Sequence, residues 1–438
     1  MKTKFLLSIV FFSIISIIFF ALFGKNKLPT PKKIMFIVHT ETNGGKGVYT
    51  LYKAMKETGH DVKIVAIPLY NRCYNVNIDM KFTAKFDNND VLYPCGKIEP
   101  YTKCETIESY KPDYIFIQNP YNIYNDSILD PYFINSTLKK IAKKIVYIPY
   151  GPHIFHQDHI NDKKLPNIMD LVFVDSESTK DIYIKKYGFP KDRIIVSGYQ
   201  TYKEVREGII TSSKKAPETI LWLPRWQLSF QYRDLFEGGS TFLNYHYFFY
   251  NYALQNPNIN FIIRPHQHLF FSTTNLGFLT QEEINQIFTK FKSLQNVTIS
   301  DSTNTSLVND IISADIVISD GTSALAEVVV ADKPIIYLSN GWNNEFNSNK
   351  LSRELKKYIY LAYNPNDIRR YIDDIRQNNY SPFHEKEEKN SYFKKIKCKI
   401  KYNLFESPCN RKEFKKILDP IKNPSKFIAE YLLYDKTT

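Results

Sequence analysis

Residues 316–338 read IVISDGTSALAEVVVADKPIIYL, and this stretch decides the fold class of the chain. The apolar run IVIS predicts a buried strand, a short turn rich in hydroxyl groups follows, and SALAEVVVA (323–331) predicts a helix that ends before Lys333-Pro334 and a further strand. Strand, helix and strand in succession form the repeating unit of a parallel sheet. The stretch therefore predicts an α/β protein.

The turn inside this stretch is a candidate phosphate site. A turn that joins a strand to a helix N-terminus presents backbone N–H groups, the positive end of the helix dipole and hydroxyl groups to an anion. Glu327, one turn further along, would accept hydrogen bonds from ribose hydroxyls. An N-cap hydroxyl and a first-turn carboxylate would explain the same residues without a ligand. The candidate donor-binding residues here are Ser319, Asp320, Gly321, Thr322, Ser323 and Glu327.

A second candidate lies in FIIRPHQH, residues 261–268, where a strand delivers Arg264 and His266 to the edge of the sheet. Arginine binds phosphate oxygens bidentately, and histidine donates a proton as charge develops on a leaving group. This pattern favours Arg264 as a donor-binding residue and His266 as a catalytic residue. His266 and His268 also form an H-x-H pair, but without a nearby Cys or carboxylate the zinc alternative is weak.

The first half of the chain contributes YIPYGPHIFHQDH, residues 147–159, after another predicted strand. Pro149, Gly151 and Pro152 predict a loop, so the three histidines need not cluster on a metal. We expect one of them, His153, to act as the general base. Gly44 and Gly45 follow the first strand and would let the backbone approach a ligand or acceptor closely, although they form neither a dinucleotide fingerprint nor a P-loop.

Apolar runs at 33–38, 62–67, 114–118, 144–148, 171–174 and 194–197 predict the strands of a first sheet, and a second series runs from 219–223 to 334–338. A polar segment separates the two series. We therefore expect two Rossmann-like domains that face a central cleft. The predicted divisions are 1–31 (anchor and stalk), 32–210 (acceptor domain), 211–384 (nucleotide-donor domain) and 385–438 (a basic tail that could pack on the first domain).

The composition indicates a globular protein with anionic partners. The 438 residues are 43% hydrophobic, and 58 Lys+Arg against 45 Asp+Glu give a formal charge of +13. Five cysteines without a C-x-x-C pair speak against a disulfide scaffold or a zinc ribbon and favour a reducing compartment. No RNA- or DNA-binding pattern accompanies the aromatic run at 222–252, so we expect no nucleic-acid partner.

The N-terminal residues Phe5–Phe23 (FLLSIVFFSIISIIFFALF) contain no charge over roughly 19 positions, the length that a helix needs to cross a bilayer. The run is longer than that of a cleaved signal peptide and lacks a small-x-small site, which favours a single-pass membrane anchor. More lysines follow the run than precede it, so the positive-inside rule favours a cytoplasmic catalytic domain.

Over about residues 110–380 the sequence resembles the CDP-glycerol glycerophosphotransferases, the teichoic-acid polymerase-like family with the two-domain GT-B fold. The resemblance rests on IIRPHQH (262–268), which is similar to the family's Arg/Lys-Pro-His or His-Pro motif, and on 318–338, which is similar to its Ser-Asp-x-Ser-Ser segment followed by Glu and Lys-Pro. The segments 171–199 and ILWLPRWQ (220–227) belong to it as well, and the latter contributes Arg225 as a donor-binding residue. The sequence departs from the family at Gln267, where Pro is frequent, and at PYGPH, where the family has Trp-His-Gly.

The resemblance implies a membrane-anchored transferase that moves a glycerophosphate-like (polyol phosphate) or sugar group from a CDP- or UDP-activated donor. The acceptor would be an anionic cell-surface glycan or a lipid-linked acceptor. No cofactor and no metal are expected beyond the activated donor. Two alternatives stay open: a GT-B glycosyltransferase of capsule or lipopolysaccharide synthesis, and a catalytically silent basic membrane adaptor for anionic polymers.

Overall fold

The computed structural model describes residues 29–39, 46–67, 80–92, 105–118, 133, 135–155, 164–211, 218–226, 239–266, 268–301, 305–339, 346, 349–377 and 412–435. Within these residues the chain forms two separate sheets, and every strand pair is parallel. The two α/β domains predicted from the alternating apolar runs are therefore confirmed.

The first sheet has seven strands: β1 Lys33–His39, β2 Asp61–Ile67, β3 Val91–Leu92, β4 Tyr114–Ile117, β5 Lys144–Tyr147, β6 Leu171–Val174 and β7 Ile194–Val196. Their spatial order is β3-β2-β1-β4-β5-β6-β7. The central strands are apolar along their whole length and buried, because helices cover both faces of a parallel sheet.

The second sheet has six strands: β8 Thr219–Leu223, β9 Asn260–Ile263, β10 Val297–Ile299, β11 Ile316–Ser319, β12 Ile335–Leu338 and β13 Tyr360–Ala362. Their order is β10-β9-β8-β11-β12-β13, the order of a doubly wound nucleotide-binding domain. Trp222 of β8 is fully buried between the sheet and the aromatic face of the following helix. The centroids of the Trp222 and Phe249 rings are 4.3 Å apart.

The helices alternate with the strands and lie at α1 Val48–Glu57, α2 Met80–Thr83, α3 Glu105–Tyr110, α4 Asn135–Ile141, α5 Leu165–Ile168, α6 Glu177–Lys185, α7 Thr201–Thr211, α8 Phe242–Gln255, α9 Leu269–Asn275, α10 Gln281–Lys292, α11 Leu307–Ser313, α12 Leu325–Val330, α13 Lys350–Leu355, α14 Pro365–Gln377, α15 Lys412–Leu418 and α16 Pro424–Tyr434. Short 3₁₀ turns lie at Asn88–Asp90, Lys191–Arg193 and Lys356–Tyr358.

Each sheet contains one point at which the strand order reverses. In the first sheet it lies between β1 and β4, and in the second between β8 and β11. Chains that leave such neighbouring strands run to opposite faces of the sheet, so a crevice opens at the carboxyl ends of the strands, and ligands of α/β proteins bind there. The fold thus provides two crevices, one in each domain.

The two C-terminal helices connect the domains. Phe414 and Leu418 of α15 are buried in the same apolar cluster as α12 of the second domain. Ile428 and Leu432 of α16 are buried against the first sheet and α1. The segment therefore spans from the second domain back to the first.

The predicted membrane anchor, Phe5–Phe23, lies outside the described residues and stays a prediction. Among the helices that the structure does describe, none combines the length and the apolar character that crossing a bilayer requires.

His60 joins the C-terminal helix to the first sheet and provides a pH test of that contact. Its Nδ1 accepts the Lys32 N–H at 3.0 Å, and its Nε2 donates to the Ala429 carbonyl at 3.0 Å, so the ring must be neutral. Burial lowers the pKa of His60, and the Lys32 charge adds to this, while the Ala429 bond opposes it.

We expect the free energy of unfolding to fall as the pH drops below about 6.5, because the unfolded chain then binds a proton that the folded ring excludes. The stabilising contribution is fully present above that pH. Urea unfolding of the wild type and His60→Gln between pH 5 and pH 8 checks it: the variant should be less stable at pH 8 by about 1–2 kcal/mol for the altered hydrogen bonds. An unchanged difference between the two proteins at every pH would contradict the assignment.

Candidate functional site

Asp320 organises the crevice of the second domain. It follows β11 directly and is fully buried. Its Oδ1 accepts the backbone N–H of Arg225 at 2.7 Å. Its Oδ2 accepts the backbone N–H of Thr241 at 2.6 Å and the Thr241 hydroxyl at 3.0 Å. Burial raises the pKa of Asp320, and these amides together with the nearby Arg225 charge oppose the rise. Asp320 therefore ties the ends of β8 and β11 and the start of α8 together, and neither of its oxygens is turned to a ligand.

Ser319 and Gly321 shape the same turn. The Ser319 hydroxyl donates to the Leu223 carbonyl at 3.0 Å and so links β11 to β8. Gly321 has φ +97°, and a Cβ at this position would lie 2.8 Å from the Tyr337 hydroxyl oxygen. Only glycine fits both the backbone conformation and the space. These two predicted site residues thus form the frame of the turn.

Thr322 and Ser323 are the partly exposed hydroxyl residues of the turn. The Thr322 hydroxyl accepts the Ala324 N–H at 2.9 Å, which uses one of the amides expected to face an anion. Ser323 faces the first domain: a Cβ on Gly151 would lie 2.9 Å from its hydroxyl oxygen. The turn after β11 and the loop after β5 therefore meet across the interdomain cleft.

His266 lies at the end of β9, beside the same crevice. The backbone N–H of His266 donates to the Pro224 carbonyl at 3.0 Å, and the ring Nδ1 of His266 accepts the backbone N–H of His268 at 3.2 Å. Burial lowers the pKa of His266 to about 3, and the charges of His268 and Arg225 add to this. The ring is neutral at physiological pH, and because Nδ1 is an acceptor, the proton is on Nε2. His266 thus offers an N–H donor beside Arg225.

Three aromatic rings pack together at the ends of β8 and β9. The ring centroid of Trp226 lies 6.2 Å from that of His266 and 5.8 Å from that of His268, and the two histidine rings are 5.4 Å apart. Burial also lowers the pKa of His268. No third Cys, Asp, Glu or His joins these histidines as a metal-binding group anywhere in the described ranges.

Arg264 is turned to the other side of β9. Its Nη1 forms an ion pair with Asp310 at 2.7 Å and donates to the Ser300 hydroxyl at 2.9 Å and to Thr305 at 3.1 Å. These partners belong to the β10 side of the sheet, whereas β8 and the crevice lie on the opposite side of β9. The structure therefore separates the Arg264 Nη1 group from the turn at 319–323 and brings Arg225 there instead.

Glu327 is fully buried on α12, and its contacts come from the first domain. Its Oε1 accepts the Thr201 hydroxyl at 3.0 Å and forms an ion pair with Lys46. Sequence reasoning missed Lys46, because no local pattern relates it to a helix some 280 residues away. Gly44 and Gly45, the predicted acceptor or cleft residues just before it, lie outside the described residues.

His153 is in the loop after β5, but its side chain is only 2% exposed. Its Nε2 lies 3.3 Å from the Tyr183 hydroxyl, and its carbonyl accepts the Asn349 side-chain amide at 3.2 Å across the domain boundary. The His153 ring is therefore buried beside the interdomain cleft and is not accessible from it.

Asp175, which sequence reasoning also missed, follows β6 beside His153. It is 2% exposed, and neither of its carboxylate oxygens meets hydrogen-bond geometry with a group in the described part of the chain. Burial raises the pKa of Asp175 to about 6, while the nearby Thr179 hydroxyl and the amide of His153 offset the effect only in part. The sequence feature that could have identified Asp175 is an acidic residue directly after the apolar run LVFV.

We expect Asp175→Asn to stabilise the protein at pH 7.5 by up to about 3 kcal/mol, because a rise from 3.8 to about 6 is worth that much at about 1.4 kcal/mol per decade. A raised folded-state pKa destabilises the fold above pH 6, and this penalty disappears as the pH falls toward 4. Urea unfolding at both pH values measures the gain, and Asp181→Asn on the exposed face of α6 is the control. A less stable Asp175→Asn protein at pH 7.5 would contradict the interpretation.

No protein-family model matches the chain, and no curated protein is significantly similar to it. Solved structures do match. The UDP-GlcNAc 2-epimerase of Methanocaldococcus jannaschii, in complex with UDP-GlcNAc and UDP, has a TM-score of 0.54 at 14% identity and covers 92% of this chain and 100% of its own. That of Neisseria meningitidis, bound to UDP-GlcNAc, has a TM-score of 0.53 at 13% identity with the same coverage.

The wall teichoic acid polymerase TagF is also similar, with a TM-score of 0.51 at 12% identity, and covers 94% of this chain and 91% of its own. At such identities the likeness concerns the fold, which is GT-B-like with two facing α/β domains. The predicted fold class is thus confirmed in this respect. The family resemblance itself still rests on the sequence motifs.

Proposed function

We propose that this protein is a transferase that uses a nucleotide-diphosphate-linked donor, and that the donor's phosphates bind at the crevice between β8 and β11. One observation carries the proposal: Arg225, the neutral His266 and the Thr322-Ser323 turn stand at the carboxyl ends of three adjacent strands, and Ser323 of that turn faces the first domain. A cation, an N–H donor and two hydroxyls in one crevice suit an anion of two phosphates.

In this proposal the acceptor hydroxyl attacks the donor. With a CDP-polyol the new bond forms at the β-phosphorus and CMP leaves; with a UDP-sugar it forms at the anomeric carbon and UDP leaves. Arg225 and the His266 Nε2–H stabilise the charge that develops on the departing phosphate. An anion bound beside His266 raises its proton affinity above that of the empty site, so the ring is then better able to protonate the leaving oxygen.

We assign the acceptor side to the first domain, with His153 as the base that takes the hydroxyl proton. Because the His153 ring is buried and its Nε2 lies 3.3 Å from the fully buried Tyr183 hydroxyl, this role requires the ring to become accessible from the cleft when the acceptor binds. The formal charge of +13 favours an anionic glycan or lipid-linked acceptor at a membrane surface, where the predicted anchor would hold the protein.

A panel of donors tests this proposal. The full-length protein in detergent is incubated with CDP-glycerol, other CDP-polyols and UDP-sugars, each with an anionic glycan or lipid-linked acceptor, and nucleotide release and product are measured. We expect CMP release and transfer of a polyol phosphate. UDP release with a new glycosidic bond would identify the glycosyltransferase alternative instead.

Two further outcomes would overturn the proposal. Inversion at C2 of UDP-GlcNAc without nucleotide release would be the chemistry named for the epimerase neighbours. Polymer binding without any turnover, unchanged when His266 is replaced, would identify an adaptor for anionic polymers.

A further inference from the structure

The two crevices of the fold are joined by a charged contact. Lys46 follows β1, and its carbonyl accepts the side-chain amide of Gln118, which follows β4, at 2.9 Å. Lys46 thus stands at the point where the strand order of the first sheet reverses. Its ammonium pairs with Glu327 of α12, the helix that follows β11 at the corresponding point of the second sheet. The ion pair therefore crosses the cleft from one ligand crevice to the other.

The Lys46–Glu327 ion pair is expected to add little to the stability of the fold. The Glu327 side chain is fully buried and that of Lys46 is 17% exposed, so forming the pair removes both charges from most of their water. The Glu327 Oε1 receives Lys46 and Thr201, while its Oε2 has no hydrogen-bond partner in the described ranges. A buried carboxylate with one unsatisfied oxygen is better suited to an exchange of partners than to a permanent bridge.

The backbone at Lys46 is held in one place. Gly47 has φ +74°, and a Cβ there would lie 2.7 Å from the Cβ of Gln200. Gln200 directly precedes Thr201, the other residue that binds Glu327. The Lys46 ammonium also lies 5.5 Å from the centre of the Tyr199 ring, which favours a cation in this position. The ammonium is therefore supported even when Glu327 does not hold it.

We propose that Lys46 is a donor-binding residue: its ammonium exchanges Glu327 for the phosphates of the donor, and its pairing with Glu327 closes the empty cleft. Glu327 lies four residues after Ser323, about one helical turn from the turn proposed to hold phosphate. A lysine side chain that now reaches Glu327 can reach an anion at that turn. The two negative charges of a diphosphate attract it more than one carboxylate does, and ribose hydroxyls can then donate to the released Glu327. This inference rests on the proposed function in one respect only, namely that the ligand carries a diphosphate.

Binding of inorganic pyrophosphate to the full-length protein in detergent tests the exchange, because this probe has phosphates but no ribose. We expect Lys46→Met to weaken binding by roughly ten- to a hundredfold, the scale of a lost charged hydrogen bond. Glu327→Gln should have the opposite effect and tighten binding, because it releases Lys46 without removing it. Lys143→Met removes a lysine that pairs with Asp113 on the surface of the first domain, and it should leave binding unchanged.

A purely structural bridge predicts a different pattern. Lys46→Met and Glu327→Gln would then lower the melting temperature alike and change pyrophosphate binding in the same direction, which would overturn the exchange. The interdomain distance of the empty protein, measured by spin labels on α4 and α14, supplies an independent readout, and we expect both variants to lengthen it. An unchanged distance in both variants would overturn the closing role of the pair.

The outcomes separate this inference from the proposed function. If the opposite effects on pyrophosphate binding are observed but no donor is turned over, the exchange stands and the transferase assignment fails. If donors are turned over but Lys46→Met binds pyrophosphate as the wild type does, the transferase stands and the exchange fails.

Discussion

Replacing His266 by alanine should slow donor turnover by roughly a hundredfold or more, the scale of losing one positioned donor or acid at a developing charge. His266 holds its Nδ1 on the His268 amide and keeps its proton on Nε2, beside Arg225. Alanine removes that N–H without touching Arg225 or the turn after β11. Turnover of the best donor, measured as kcat and KM, should therefore show the loss mainly in kcat.

Two variants make this result specific. His266→Gln restores an N–H donor but no ionisable group, so it should recover part of the rate if His266 acts by hydrogen bonding and none if it must transfer a proton. His268→Ala is the neighbouring control, and we expect it to cost less than tenfold, because the His268 ring is assigned no contact with the donor. An equal loss in His266→Ala and His268→Ala would mean that the aromatic cluster as a whole, and not one N–H group, supports the reaction.

Replacing Asp320 by alanine should destabilise the second domain by about 3–5 kcal/mol. The substitution leaves the buried amides of Arg225 and Thr241 without their acceptor, and it removes the carboxylate beside the Arg225 guanidinium. Urea unfolding followed by tryptophan fluorescence reports on this domain, since Trp222 and Trp226 are in and next to β8.

Ser319→Ala is the matched comparison for Asp320→Ala. It removes one hydrogen bond, from its hydroxyl to the Leu223 carbonyl, in the same turn and at the same depth, and should cost only about 1 kcal/mol. Similar costs for the two substitutions would show that Asp320 is not the residue that ties the three segments together. Donor affinity should fall with Asp320→Ala even below the unfolding transition, because Arg225 is then no longer held at the crevice.

Strand positions were largely predictable, because buried parallel strands are short runs that are apolar along their whole length and are bounded by polar turn residues. Leu171–Val174 and Ile316–Ser319 were predicted to the residue, and most other bounds to within one or two. The structure adds β3 and β13, which the apolar runs did not predict, and β3 has only two residues, too few to produce a recognisable pattern. The helix after the 319–323 turn begins at Leu325, two residues later than predicted, because the turn itself uses Thr322 and Ser323.

The candidate site was predictable in so far as it follows from strand ends. An apolar run ending in a polar residue reaches the carboxyl edge of its sheet, and this reasoning brought His266 and the 319–323 turn to one edge. It could not distinguish residues that face a ligand from those that face their own domain. Asp320 and Ser319 turned out to be bonded within the frame, and Arg264 to be paired with Asp310.

The sequence alone thus determined two parallel α/β domains and the strand ends that carry polar groups, because apolar periodicity and turn residues are local properties of the chain. Only the tertiary structure decided that Arg225 shares a crevice with His266, that Asp175 is buried with no hydrogen-bond partner among the described residues, and that Lys46 pairs with Glu327. These relations depend on the order of strands in each sheet and on how the two domains face each other. Both are set by packing between segments far apart in the chain, for which the residues at either end carry no local signal.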